Sequence, residues 1–149
     1  MKNIISKLLS LGAFFLLVFV LTTELKGSDK FKLTVSITNV ESNDGQLIVY
    51  LYDKPEYYPK EKDKAFKVVK TKISNNRAKL IFDDIQKGTY AIAVHHDDNG
   101  NNKVDTNFLG IPSEDFGASN NAKGFMGPPS FKDASFKVTD NKEVNIDMN

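Results

Sequence analysis

Alternation of apolar and polar side chains with a period of two is the feature that most restricts the fold of this chain. The pattern is clearest in FKLTVSIT, residues 31–38, and it returns in residues 77–85, 133–139 and 143–149. Successive side chains of a β-strand point to opposite faces, so this period predicts strands with one buried and one solvated face. The expected inward residues are Phe31, Leu33, Val35, Ile37, Ala78, Leu80, Phe82, Ala134, Phe136, Val138, Val144, Ile146 and Met148.

Two further segments, GQLIVYLYD at 45–53 and GTYAIAVHH at 88–96, are apolar on both faces, which is typical of central strands. Residues 65–73 are a weaker strand candidate. Turn residues separate these segments, and helical spacing is missing after the first 27 residues. The sequence therefore predicts an all-β protein, an antiparallel β-sandwich of about seven strands, immunoglobulin-like or transthyretin-like. We expect the connection at 54–64, KPEYYPKEKDK, to be a solvated loop.

The amino-terminal segment has the order of a secretory signal. Lys2 and Lys7 precede an apolar run over residues 8–21, which is short for a transmembrane helix. We predict a signal peptide at 1–27 and a single domain at 28–149 with a long loop at about 97–130. The protein would be exported, to the periplasm, the outer surface or the medium, with no membrane span after cleavage. An uncleaved anchor is the alternative.

Composition narrows the classes of partner. Removing residues 1–27 takes away three lysines and one glutamate and leaves 17 basic and 18 acidic residues, a net charge of −1. Such a near-neutral chain has no overall electrostatic attraction to nucleic acid. The chain has no cysteine, so its stability must come from packing or from a bound metal ion.

The most polar segment, HHDDNGNNKVDTN at residues 95–107, contains three aspartates and four asparagines directly after an apolar strand. Ca²⁺ takes oxygen ligands, which the calcium loop of an EF-hand supplies at positions 1, 3, 5, 7 and 9, position 7 through its backbone carbonyl. With position 1 at the end of the strand, the predicted ligands are Asp97, Asn99, Asn101, the Lys103 carbonyl and Asp105. A plain turn rich in Asp and Asn is the alternative.

This loop departs from the calcium pattern at two positions. Position 12, usually a bidentate Glu, is Phe108, so we expect the missing carboxylate to come from Glu114 or Asp115 in the next loop. Position 6, usually Gly, is Asn102, and Asn is well suited to replace Gly in a left-handed conformation. We therefore add Glu114 to the predicted metal ligands and predict a structural Ca²⁺ ion as the cofactor.

His95 and His96 introduce a catalytic alternative. Adjacent strand residues point to opposite faces, so the two imidazoles are not expected to share one ion. We expect His96 to fix the turn. The alternative function is an envelope-associated hydrolase that uses His96 with Glu114 or Asp98 as acid and base. No nucleophile motif supports it, since Ser119 lacks the elbow signature, and we assign no catalytic residues.

The segment from Gly88 to Ala122 together with PPSFKDASFKV, residues 128–138, resembles the bacterial domain of unknown function 2141 family. Members read as a Gly-x-Tyr-Ala strand, then His-Asp-x-Asn-x-Asn-x-x-x-Asp, Gly-x-Pro-x-Glu and Gly-x-Ser-Asn. The matching residues are Gly88, Tyr90, Ala91, His96, Asp97, Asn99, Asn101, Asp105, Gly110, Pro112, Glu114, Gly117, Ser119 and Asn120. The resemblance implies an exported bacterial β-sandwich with Glu114 grouped with the aspartates, and it implies no activity. Asn102 departs from the Gly of many relatives.

Our functional hypothesis from the sequence is an exported, non-enzymatic module with a structural calcium loop. It would bind an envelope or extracellular partner, either a glycan or a protein. A purely structural domain that pairs with other envelope proteins through an exposed edge strand is a further alternative.

Overall fold

Eight β-strands in two sheets make up most of the regular structure in residues 29–149, the part of the chain that the computed structural model describes. The predicted signal peptide at 1–27 lies outside these described residues. The strands are β1 Lys30–Thr38, β2 Gln46–Tyr52, β3 Lys67–Thr71, β4 Ala78–Gln86, β5 Gly88–Asp97, β6 Phe116–Ala118, β7 Phe136–Val138 and β8 Lys142–Asp147. Short 3₁₀ turns at Lys62–Lys64 and Ser119–Asn121 and the four-residue helix α1, Phe131–Ala134, complete the described elements.

One sheet has the strand order β4-β1-β8, and the other has the order β3-β2-β5-β6, with β7 also paired to β5. This arrangement confirms the all-β sandwich, but one strand pair departs from the predicted antiparallel arrangement. Strand β8 runs parallel to β1, so that Val144 stands beside Val35, whereas the other strand pairs of the described residues are antiparallel. Side chains alternate with the same period in parallel and antiparallel strands, so the sequence pattern does not distinguish the two.

The main core lies between the two sheets. It contains the inward residues of β1, β4, β7 and β8 that the alternation predicts, with Phe31 and Ala78 at its margin. The prediction for Ala134 is wrong, because this residue ends helix α1 and belongs to the apolar cluster on the other face of the five-stranded sheet. Strands β2 and β5 are central in their sheet, as predicted, and contribute Leu47, Val49, Leu51, Tyr90, Ile92 and Val94. Burial of these apolar side chains is the main source of stability of the fold.

A second apolar cluster covers the other face of the five-stranded sheet, which we call the outer face. Its members are Ile48, Tyr50, Tyr52, Tyr58, Ala91, Ala118 and Ala134. The ring of Tyr58 packs edge-on at 5.4 Å from Tyr52 and 5.8 Å from Phe131. The 54–64 loop is therefore not simply solvated, because Tyr58 is buried and closes one side of the sheet.

Helices are too short to cross a bilayer anywhere in the described residues.

Candidate metal centre

Asp97 ends β5, where it stands opposite Gln46 of β2. Its side chain is fully buried, and its Oδ2 accepts hydrogen bonds from Gln46 Nε2 at 2.7 Å and from the Asn102 N–H at 3.0 Å. Asn102 has a φ of +65°, which confirms the left-handed conformation expected at position 6. The second oxygen, Oδ1, is buried without a hydrogen-bond partner. One oxygen of Asp97 thus holds the turn in place, and the other is free to bind a cation.

The environment of Asp97 favours its charged form. Burial raises the pKa of this carboxyl. The hydrogen bonds from Gln46 and from the N–H of Asn102, together with the proximity of His95, lower the pKa by more than burial raises it. The result is a pKa below the ordinary value of 3.8. The carboxylate is therefore retained as an anion inside the fold, which is the state that a metal ion requires.

The dependence of folding stability on pH tests the environment of the Asp97 carboxyl. Because the pKa of Asp97 is lower in the folded state, its contribution to stability is complete above about pH 5 and is lost as the pH falls through the folded-state value. We expect Asp97→Asn to lose less stability than the wild type between pH 5 and about pH 2.5. Urea unfolding in EDTA at several pH values measures this difference. Parallel stability curves for the two proteins would contradict it.

Glu114 approaches the end of β5 from the following loop. Its side chain is 1% exposed, and its Oε2 lies 2.7 Å from His95 Nε2 and accepts the Asp105 N–H at 2.9 Å. The other oxygen, Oε1, is buried without a partner. The imidazole of His95 is in turn stacked on the ring of Phe116, with centroids 5.0 Å apart. A buried carboxylate oxygen without a partner is energetically costly, so this position calls for a cation or another donor.

Three carboxylates converge at this point. One oxygen each of Asp98, Asp105 and Glu114 lies within 4.8 Å of the others. Two oxygens on opposite sides of one Ca²⁺ ion stand up to about 5 Å apart, since each Ca²⁺–O distance is about 2.3–2.6 Å. The spacing therefore fits one hard cation. Of the predicted ligands, Asp105 and Glu114 belong to this group. Asp98 does not follow from the alternating frame, and only its place beside Asp97 in the acidic stretch pointed to it.

Of the other predicted ligands, Asn99 and Asn101 lie in the same loop but make other contacts, and the Lys103 carbonyl accepts no hydrogen bond within residues 29–149. Asn99 and Asn101 both donate through Nδ2 to Asp105 Oδ2. Their Oδ1 atoms accept the N–H groups of Asn101 and Lys103 respectively, as in Asx turns. These amides thus orient Asp105 and shape the turn, because their oxygens are occupied by backbone donors close in sequence.

His96 is placed where the turn interpretation expects it. It lies on the inner face, is buried, and forms a 3.0 Å hydrogen bond through Nε2 with the Asp44 carbonyl. Glu114 is paired instead with His95, on the opposite face of β5. The structure therefore does not bring His96 together with Glu114 as an acid and base pair. The contact that sequence reasoning missed is the one between His95 and Glu114, which are 19 positions apart.

Comparison with known families agrees with the family resemblance found in the sequence. The profile of the family described as "Uncharacterized protein conserved in bacteria (DUF2141)" matches residues 35–147. The chain belongs to this family. No curated protein and no solved structure matches it. The profile match takes in every strand of the DUF2141 sandwich except the first residues of β1, together with the whole carboxylate group.

The Gly-x-Ser-Asn part of the DUF2141 resemblance has a structural role away from the carboxylates. A Cβ atom on Gly117 would lie 2.6 Å from the Met148 sulfur, so a larger residue would require the Met148 side chain to shift. Ser119 is fully buried, and Asn120 Nδ2 donates to the carbonyls of Asp133 and Ser135. These residues fasten the long loop to the outer face of the sheet.

Proposed function

We propose that this protein is an exported, non-enzymatic β-sandwich module whose acidic loop binds a structural Ca²⁺ ion. Export is supported by the signal-like pattern of residues 1–27. A non-enzymatic role is supported by the separation of His96 from Glu114, which pairs with His95 on the opposite face of β5. The ion would hold the 98–115 loop against the end of β5. That loop would then present a surface to a glycan or protein of the envelope.

The single observation that carries the metal proposal is the state of Glu114. This carboxylate is almost entirely buried and has one oxygen without a hydrogen-bond partner. One of its oxygens also lies within 4.8 Å of a carboxylate oxygen of Asp98 and of Asp105. Like charges at this spacing repel one another, and the hydrogen bonds from His95 and the Asp105 N–H reach only one Glu114 oxygen. A divalent cation would offset the repulsion and supply the missing partner.

The set of ligands also indicates which kind of ion fits. All the converging groups are oxygen donors, and His95 Nε2 is engaged in its contact with Glu114. Hard cations such as Ca²⁺ prefer carboxylate oxygens, whereas Zn²⁺ is most often held by histidine or cysteine. The free Oδ1 of Asp97 is a further oxygen at the same end of β5. Modules outside the cytoplasm bind Ca²⁺ with Kd values of about 10⁻⁴–10⁻³ M.

Thermal unfolding in Ca²⁺ and in EDTA tests the proposal. A native-state ligand at about 5 mM with such a Kd stabilises the fold by about 1–2 kcal/mol, which corresponds to a rise in Tm of about 3–10 °C. In Glu114→Gln, which keeps the size of the side chain and removes its charge, we expect less than half of that rise. The compared quantity is the Ca²⁺-dependent shift within each variant, so a general loss of stability does not affect the result.

Glu56→Gln is the matched control, because Glu56 is exposed on the other long loop and should keep the full shift. Asp98→Asn provides a second test at an exposed position of the carboxylate group. If the wild-type Tm is the same in 5 mM Ca²⁺ and in EDTA, the loop binds no structural Ca²⁺ and the proposal is wrong.

A further inference from the structure

A pocket of about 610 Å³ opens on the outer face of the five-stranded sheet, beside β6. Ala93 and Ala118 form part of its lining on the sheet, Tyr50 and Tyr58 line it from β2 and the 54–64 loop, and Pro112 and Pro128 line it from the long loop. A volume of this size is in the range of small-molecule sites. None of its lining residues is an Asp or a Glu, although its lining includes His95, which is hydrogen-bonded to Glu114 of the carboxylate group.

The lining of the pocket is mostly apolar, and its cationic side chains are lysines. Lys60, Lys62 and Lys123 all line it, and none of them forms an ion pair within residues 29–149. Lys62 is the most constrained of the three. Its Nζ lies 5.3 Å from the ring centroid of Tyr50 and 5.8 Å from that of Phe116.

Lys62 is also partly withdrawn from water. Burial lowers the pKa of its ammonium group, although the carboxylates of Glu114 and Asp97 oppose this effect. A cation held over two aromatic rings beside an apolar cavity interacts more strongly with an anion than a fully hydrated lysine does. The pocket thus offers an apolar volume with positive charge on one side.

We propose that this pocket binds a small amphipathic anion, a molecule with an apolar chain or ring body and one carboxylate or phosphate group next to Lys62. The apolar lining argues against a sugar, whose hydroxyl groups would lose water without gaining partners there. Charge complementarity with the three lysines favours an anionic group and argues against a cationic ligand. This inference does not rest on the calcium proposal, and its readout is a binding isotherm rather than a melting temperature.

Isothermal titration calorimetry with decanoate, below its micelle concentration and in Ca²⁺-free buffer, tests the pocket. We expect saturable binding of one decanoate per chain, and a parallel titration with decyl phosphate shows which anionic group is preferred. Decyltrimethylammonium, with the same chain and the opposite charge, should not bind. In Lys62→Met, which keeps the packing on the two rings, we expect affinity for decanoate to fall about tenfold.

Lys87→Met, at an exposed lysine outside the pocket, is the matched control and should bind decanoate like the wild type. Ala93→Leu places extra carbon atoms in the pocket and should abolish binding, with folding checked by its Tm. The inference is overturned if neither anion binds at 1 mM, if the cationic amphiphile binds equally well, or if Lys62→Met binds decanoate as tightly as Lys87→Met does.

Discussion

Gly45→Ala is expected to destabilise the protein by about 2–5 kcal/mol and to reduce the proposed stabilisation by Ca²⁺. Gly45 has a φ of +64°, a left-handed conformation that costs an alanine about 1–2 kcal/mol. A Cβ atom at this position would lie 1.9 Å from the Asp97 carbonyl oxygen and 2.6 Å from the Asp98 carbonyl. Both contacts are with backbone, so the end of β5 itself would have to move.

The displacement would affect the carboxylate group directly. Gly45 precedes Gln46, which donates to Asp97, and the backbone it would push away carries Asp97 and Asp98. We therefore expect urea unfolding to show the loss of stability, and melting in Ca²⁺ and EDTA to show a reduced shift.

Gly100→Ala separates the cost of a left-handed backbone conformation from the cost of a steric clash with the Cβ atom. Gly100 also has a positive φ, +72°, but a Cβ there would meet nothing within 4 Å. It should cost only the conformational term of about 1–2 kcal/mol. The structure indicates that the backbone of Asp97 and Asp98 leaves no room for a side chain at Gly45. If Gly45→Ala is no more destabilising than Gly100→Ala, this interpretation is wrong.

The buried faces of the longer strands and the left-handed conformation of Asn102 could be predicted from the sequence. Alternation identifies the buried side of β1 through Leu33, Val35 and Ile37, and two-sided apolar character identifies β2 and β5 as central. The conformation of Asn102 follows from its own backbone preference. In each case the physical cause acts within a few residues, so the sequence pattern carries it.

Features that depend on contacts between distant segments could not be predicted in the same way. Strand β6 has three residues, and its Gly117 shows no strand preference, so only its pairing to β5 makes it a strand. Tyr58 is buried because Tyr52 and Phe131 lie beside it, although its own loop is highly charged. The position of Glu114 beside Asp105 was expected, whereas its pairing with His95 depends on the path of the loop between them.

The second large effect is expected at Ser119, because this residue completes the edge of a sheet. Strands β6 and β7 pair with the same edge of β5, β6 at residues 93–95 and β7 at residues 88–90. Between them, the Ile92 N–H donates to Ser119 Oγ at 2.9 Å, and that hydroxyl donates to the Ala134 carbonyl at the end of α1. One buried hydroxyl thus fills the gap between two short strands.

Ser119→Ala removes the partner of two buried backbone groups, and each unsatisfied group costs about 1–3 kcal/mol. We expect a loss of about 2–4 kcal/mol in urea unfolding, together with faster hydrogen exchange of the Ile92 amide. Ser135→Ala is the control in the same region, since its hydroxyl makes one local bond to the Lys132 carbonyl at 3.1 Å and should cost about 0.5 kcal/mol. Equal losses in the two variants would mean that Ser119 does not hold this edge together. A larger loss at Ser119 would establish that this hydroxyl anchors the long loop on the edge of the sheet.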